Sequence, residues 1–301
     1  MNNRNNYLIL IKKVFLIKNI LLIQLSILFF CGACFAQEKQ NLPLWEFGLF
    51  SGAARIPHYR GSDEYNIYAL PLPYFIYRGE FIRAGRDGVK GIFYKNNYIE
   101  TNISLSGNPP VDGDNDARKG MPDLDALFEF GPAIKWFFMG KDQYDNLYLE
   151  SSLRAASSLG FDGGLDLKYQ GLRGGINLIY NNKELFKQIK LRFGVNAGVD
   201  FTDSRLNAYF YDVEQEYTNS ERNYYESDSG YAGFSLSGFL QKTLTKSLSL
   251  GGYVRLDNIN GAVFEDSSLV RDKNNFVVGC ALTWKIFESK RRVMSEEDEN
   301  Y

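Results

Sequence analysis

The chain is predicted to be all-β, a single antiparallel transmembrane β-barrel of about 12 strands. Three observations predict this. An export-type leader opens the sequence, two-residue hydrophobic alternation recurs along the rest, and the mean hydropathy of −0.29 fits no helical membrane protein. The last strand shows the alternation best: Phe276, Val278, Cys280, Leu282, Trp284 and Ile286 share one face. Val277, Gly279, Ala281, Thr283 and Lys285 share the other. Strand side chains alternate in direction, so one face is apolar and the other small or polar. A soluble sandwich could show this once; repetition behind a leader predicts lipid outside and polar groups inside.

The leader has a basic start at Arg4, Lys12, Lys13 and Lys18, then an apolar core from Ile20 to Phe30. Cys34-Phe35-Ala36 places small side chains where a signal peptidase cutting before Gln37 needs them. Residues 1–36 therefore read as a cleaved signal peptide. The apolar stretch is short for an uncleaved span, and Cys31-Gly32-Ala33 fits a lipidation signal at Cys34 poorly. Cleavage leaves Cys280 without an intrachain partner. The formal net charge of −2 gives no basic field, so nucleic acid is not an expected partner. The 28 Gly and 15% aromatic content suit a barrel with close backbone packing and interfacial girdles.

Strand candidates follow in order. Leu44–Ala53 and Tyr68–Tyr77 come first. Within 125–138, Phe128, Phe130, Ile134 and Trp136 oppose Glu129 and Lys135. Tyr148, Glu150 and Arg154 oppose Leu147, Leu149 and Leu153. Leu165–Tyr180 alternates through Asp166, Lys168 and Arg173, and 189–201 sets Leu191, Val195 and Val199 against Arg192, Asn196 and Asp200. Tyr231–Lys242 and Leu248–Asp257 complete the set, the latter with Tyr253, Arg255 and Asp257 on its polar face. Charges at such positions are destabilising toward lipid. Glu129, Lys135, Glu150, Arg154, Asp166, Lys168, Arg192, Asp200 and Arg255 are accordingly the expected lumen-facing residues.

Loop lengths set the strand count. Segments 106–123, 203–230 and 259–275 read as long outer loops, and 158–163 as a shorter outer connection. Segments 96–97, 140–146, 181–188 and 243–247 read as periplasmic turns. Even parity requires one more reversal between Glu80 and Lys95, and Asp87-Gly88 is a favoured hairpin dipeptide. Twelve strands result; treating 81–94 as one bent strand gives ten. Residues 37–287 form the barrel. Glu288–Tyr301, basic then acidic, has too few apolar residues to fold alone and is expected to be a flexible periplasmic tail.

Pro57-His58-Tyr59-Arg60-Gly61-Ser62-Asp63-Glu64-Tyr65, followed by Leu70-Pro71-Leu72-Pro73-Tyr74, resembles the signature of the MipA/OmpV family. Its motif positions here are Pro57, Tyr59, Gly61, Ser62, Asp63, Tyr65, Pro71, Pro73 and Tyr74. The resemblance extends to Phe81–Arg86, Asp123–Ala126 and Thr283–Ile286. It implies an outer-membrane barrel surrounded by lipid and inserted by the barrel assembly machinery, with Trp284, Ile286 and Phe287 as the assembly signal. It also implies a scaffold for periplasmic murein enzymes or a porin-like role. It brings no catalytic residues and no cofactor. The family usually ends at the last strand's aromatic, whereas this chain continues to Tyr301.

The chemistry-bearing residues give little else. The sole His58 lies close in sequence to Ser62 and Asp63, but these read as turn formers rather than a triad. Asp112, Asp114 and Asp116 alternate like part of a calcium loop but lack its closing glutamate. Arg83, Arg86 and Lys90 read as a salt-bridged lumen lining. Three classes remain: a scaffold barrel, which is the expected function; a narrow channel, as the alternative; and an enzyme, which nothing favours.

Overall fold

A strand can face lipid on one side and water on the other only if its side chains alternate strictly, and β8 (Ala126–Phe137) does so. Phe128, Phe130, Ile134 and Trp136 are each more than half exposed, whereas Leu127, Glu129, Ala133 and Phe137 are buried. The computed structural model describes residues 40–79, 82–85, 88–91, 94–111, 115–140, 145–160, 166–186 and 190–295. The signal-peptide segment lies outside them, as do Asp112 and Asp114.

The strands are β1 (Gln40–Pro43), β2 (Trp45–Pro57), β3 (Tyr65–Arg78), β4 (Ile82–Gly85), β5 (Gly88–Gly91), β6 (Tyr94–Lys95) and β7 (Ile99–Asn108). After β8 come β9 (Asp145–Gly160), β10 (Asp166–Phe186), β11 (Leu191–Thr202), β12 (Gly230–Thr243), β13 (Leu248–Asn258), β14 (Asn274–Glu288) and β15 (Arg292–Ser295). One antiparallel sheet runs in the order β5-β4-β3-β2-β14-β13-β12-β11-β10-β9-β8-β7-β6. The chain's first long strand thus pairs with its last, as barrel closure requires. All twelve expected strands are present, and the two-residue β6 adds a thirteenth. The hairpin β4–β5, with Gly85 opposite Gly88, decides for twelve over ten.

The hydrogen-bonded ladder is not closed. β5 lies beside β7 without laddering to it. Gly91 and Tyr94, on the two edge strands, are three peptide units apart, at most about 11 Å. Connectivity alone therefore curls the sheet round. This corrects the expectation of a fully closed ladder; among the described residues β3 ladders to β4 through Tyr77 and Arg78 alone.

The turns at one end are tight. Asn96 Oδ1 accepts from the Tyr98 and Ile99 amides at 2.8 and 2.7 Å, and Leu244 N donates to Leu248 O at 2.9 Å. The opposite end carries the long connections, and there the polar 203–230 segment contains a helix, α1 (Ser204–Tyr211). Asp203 caps it by accepting from Leu206 N at 2.9 Å. Gly171 at φ +129 makes room for that cap, since a side chain at 171 would collide with the Asp203 carboxylate.

The tail also departs from expectation. Arg292–Ser295 pairs antiparallel with Gln40–Pro43, so this part is a strand rather than a flexible segment. Composition shows only that the tail cannot bury a core; backbone pairing with another segment needs none. Residues 296–301 lie outside the described residues.

Candidate functional site

The family-motif turn sits at the loop end, between β2 and β3. Ser62 N donates to Tyr59 O at 3.1 Å, and Gly61 takes φ +98, the conformation a type II turn demands at its third residue. The Gly61 amide donates to Asn275 Oδ1 at 2.6 Å, and the Gly61 carbonyl accepts from the Arg271 and Asp272 amides. Asn275 Nδ2 returns to Ser62 O at 2.7 Å. The turn is therefore stitched to the β13–β14 loop.

The other long loops close over it. Tyr59, Leu124, Leu206, Phe210, Tyr211, Ile259 and Phe264 form one buried apolar cluster. Tyr211 stacks on Phe264 at 3.8 Å between ring centroids, and Tyr59 donates to Leu269 O at 2.8 Å. Arg118 Nη1 donates to Phe210 O, and Arg222 donates to the carbonyls of Tyr217, Ala117 and Lys119. The result is a packed cap at the loop end. His58, expected to be an ordinary loop side chain, is instead buried, its Nδ1 3.0 Å from Asn115 Nδ2. Asn115 Nδ2 also donates to Ser62 Oγ at 3.2 Å.

Burial pushes the Tyr59, Tyr209 and Tyr211 phenols above the ordinary tyrosine range. A raised folded-state pKa gives stability that is complete below the unfolded value of about 10 and is lost as pH rises past it. In alkaline titration the cap is expected to loosen above about pH 10 while the strands hold. Protease cleavage within 203–230, compared with the heat-modifiability of the barrel, reads this out. Simultaneous loss of both would show that the cap is not a separate unit.

Below the cap lies a continuous belt of alternating charge. Arg255 Nε meets Asp257 Oδ2 at 2.8 Å. Arg60 places Nη2 3.2 Å from Asp257 Oδ1, a charge contact without hydrogen-bond alignment, and Nη1 2.6 Å from Asp200 Oδ2. Arg173 bridges Asp200 at 3.7 Å and Glu129 at 2.9 Å, and Arg154 pairs with the other Glu129 oxygen at 3.0 Å. Glu129 is 2% exposed and the Asp257 side chain 0%. Burial disfavours the Arg60 guanidinium, but Asp200 and Asp257 outweigh it and hold its pKa above the ordinary arginine value. The belt runs inside the wall from β7, where Arg154 Nη1 donates to Ser104 Oγ, to β13.

Of the expected lumen residues, Glu129, Arg154, Asp200 and Arg255 join this belt. Lys135 and Glu150 pair with each other at 3.5 Å nearer the turns. Arg192 is half-buried, one strand position further toward the turns than Phe193. Asp166 and Lys168 do not join the belt. Lys168 has inward parity, opposite buried Ser158, but it lies at the loop end of β10 and is exposed there. The two charges pair at 2.7 Å in the open, 51% and 65% exposed. Sequence reasoning missed Arg60 as the belt's centre. It also missed a second buried cluster at the turn end, where Arg78 meets Glu46 at 2.7 Å and donates to Pro43 O.

The motif residues divide by role. Pro57, Tyr59, Gly61 and Ser62 are buried in the turn, and Asp63 is exposed. Tyr65 stacks under Arg55 at 3.5 Å. Pro71 and Pro73 lie exposed on β3, and the Tyr74 ring lies over Gly48, where an added Cβ would sit 2.5 Å from it. Trp284, Ile286 and Phe287 are exposed on the outer face of β14.

Comparison with known proteins follows the same lines. Three solved structures match at low similarity. A bacterial polysaccharide outer membrane secretin is 9% identical, with TM-score 0.38, covering 82% of this chain and 100% of its own. Pseudomonas aeruginosa OccK5 (OpdH) is 9% identical, with TM-score 0.27, covering 81% and 98%. Pseudomonas putida OprB is 10% identical, with TM-score 0.30, covering 80% and 94%. No curated protein matches by sequence. The family model described as MltA-interacting protein MipA matches residues 49–286, from within β2 to within β14 and across the whole cap. With its outward apolar strands and inward charged belt, the chain is an outer-membrane β-barrel protein and belongs to the MipA family.

Proposed function

We propose that this protein is a non-enzymatic scaffold of the outer membrane, exported by a cleaved signal peptide, whose turn end engages periplasmic murein enzymes. The observation that supports this reading is the closed loop end. A packed cap covers that end and a charge-paired belt fills one side of the interior beneath it, so the barrel offers no straight conduit from end to end. The turn end offers a polar surface instead. There the β1–β15 pair stands beside Glu288, which meets Lys285 at 2.9 Å and Arg292 at 2.7 Å. The family description names an interaction with MltA, a murein enzyme. The polar side chains around the motif turn are occupied structurally: Ser62 Oγ accepts from Glu64 N and from Asn115, which also faces His58. This supports a reading without catalysis.

The test immobilises the full chain in detergent and presents a purified MltA-type murein-cleaving enzyme. Retention is expected, and Arg291→Glu with Arg292→Glu is expected to weaken it at least about tenfold. In planar bilayers the same preparation is expected to show no unitary conductance. Stepwise conductance without retention would favour the narrow-channel alternative and overturn the scaffold reading.

A further inference from the structure

The wall has a seam along β3, and the seam is built not to zip. Among the described residues, Tyr65–Pro73 pairs with β2 on one side and with no strand on the other. Arg78 N donates to Leu44 O, on the β2 side. No bulge interrupts the β2–β3 ladder. Backbone groups of successive residues point to opposite sides of a strand, so the odd-numbered residues of β3 direct theirs toward the seam. Pro71 and Pro73 are odd-numbered. Each removes a donor from the free edge, which is where proline is tolerated in a sheet and where it blocks further pairing. The unpaired stretch is about 30 Å long at 3.3 Å per residue.

The lumen behind this seam differs from the lumen opposite. The belt side is filled: Glu129, Arg154, Ala156 and Asp257 are all buried. At mid-height of β2 and β14 the inward residues Phe50, Gly52, Ala54, Gly279 and Ala281 are small or apolar, and they are only half-buried. Leu72 pairs with Phe50 four positions from the buried Glu46–Ile76 pair, so it shares their inward face, yet it is 49% exposed. A space with an apolar wall therefore adjoins the seam, with guanidinium groups across the bore.

We infer that the seam between β3 and β7 admits an acyl chain from the membrane into this apolar side of the lumen. Backbone carbonyls on an open edge are tolerated at membrane depth only where they line a cavity rather than lipid. The prolines exclude a strand from another protein as the occupant. The cap closes the axial entrance at the loop end, and the seam offers an entrance from the side. An acyl amphiphile suits the space: its chain lies along Ala54, Phe50 and Leu72, and its polar head remains near the seam's carbonyls and the belt. The acyl chain can come from a free fatty acid or from a bilayer phospholipid.

The experiment reconstitutes the full chain in liposomes with either diazirine-bearing palmitate or a diazirine-bearing phosphatidylethanolamine, and maps photo-adducts by mass spectrometry. Adducts on the inward residues Phe50, Leu72 and Ala281 are expected with at least one probe. Labelling by palmitate alone identifies a free amphiphile; labelling by both identifies chains of the bilayer itself. Ala54→Trp, which fills the space, is expected to cut inward labelling at least about tenfold and to leave adducts at outward Ile67 and Phe75 unchanged. Adducts confined to outward positions, or inward labelling indifferent to Ala54→Trp, overturn the inference. Neither result depends on murein-enzyme binding.

Discussion

Replacing Arg60 with alanine is expected to destabilise the barrel more than any other single change at the loop end. It would remove the cation that Asp200 and Asp257 share, leaving Asp257 with Arg255 at 2.8 Å and Asp200 with Arg173 at 3.7 Å. Removing one partner of a buried ion pair costs about 3–5 kcal/mol when the remaining charge is left uncompensated; with these neighbours in place the loss is expected at the lower end, about 3 kcal/mol. Urea unfolding from lipid vesicles, followed by tryptophan fluorescence, should show this loss. Arg60→Ala combined with Asp200→Asn and Asp257→Asn should recover much of it, since the uncompensated charge is then gone. If the triple variant is no more stable than the single one, the arginine acts through packing and the electrostatic account fails. Arg60→Lys should recover only part, because one ammonium cannot reach two carboxylates with the guanidinium's fork.

The next largest effect is expected on β11. Val195 is exposed on the outer face, between Tyr180 and Gly238, and Asn196 faces inward. Val195→Lys should cost about 2–4 kcal/mol, the range for a lysine facing hydrocarbon near mid-membrane. Asn196→Lys should cost much less, since the lumen there is polar. Equal losses in a folding titration would mean that β11 does not separate lipid from lumen.

The strands were legible because the membrane enforces alternation residue by residue. β8 and β11 carry it without interruption, β14 carries it as far as its irregularity at Ile286–Phe287, and the inward set Glu129, Arg154, Asp200 and Arg255 follows from parity alone. Parity gives a direction but not a height along the barrel. Asp166 and Lys168 have inward parity yet stand exposed at the loop end of β10. Helix α1 was hidden because a run of tyrosine, asparagine and serine resembles a solvated loop. Its usable signals were the capping Asp203 and the i, i+4 pair Leu206 and Phe210, both buried. Arg60 stood as a variable position within the motif, and its partners lie 140 positions away at Asp200 and further still at Asp257. No local pattern encodes such a pairing. The β1–β15 pair was missed for the same reason: two four-residue segments at opposite ends of the barrel sequence complete each other.

The stitching of the motif turn has a consequence for how the molecule is made. Tyr59 and Gly61 bond to Leu269 and Asn275, partners 210 and 214 positions downstream. Contacts this remote form late and slowly, because the loop between them must first be organised. During synthesis and insertion, then, the turn stays loose until the final hairpin arrives. A chain halted before β14 would hold twelve ladder strands in prospect and still leave Tyr59–Ser62 open to a protease. The interval in which that turn can be cut is thus a clock for completion of the barrel.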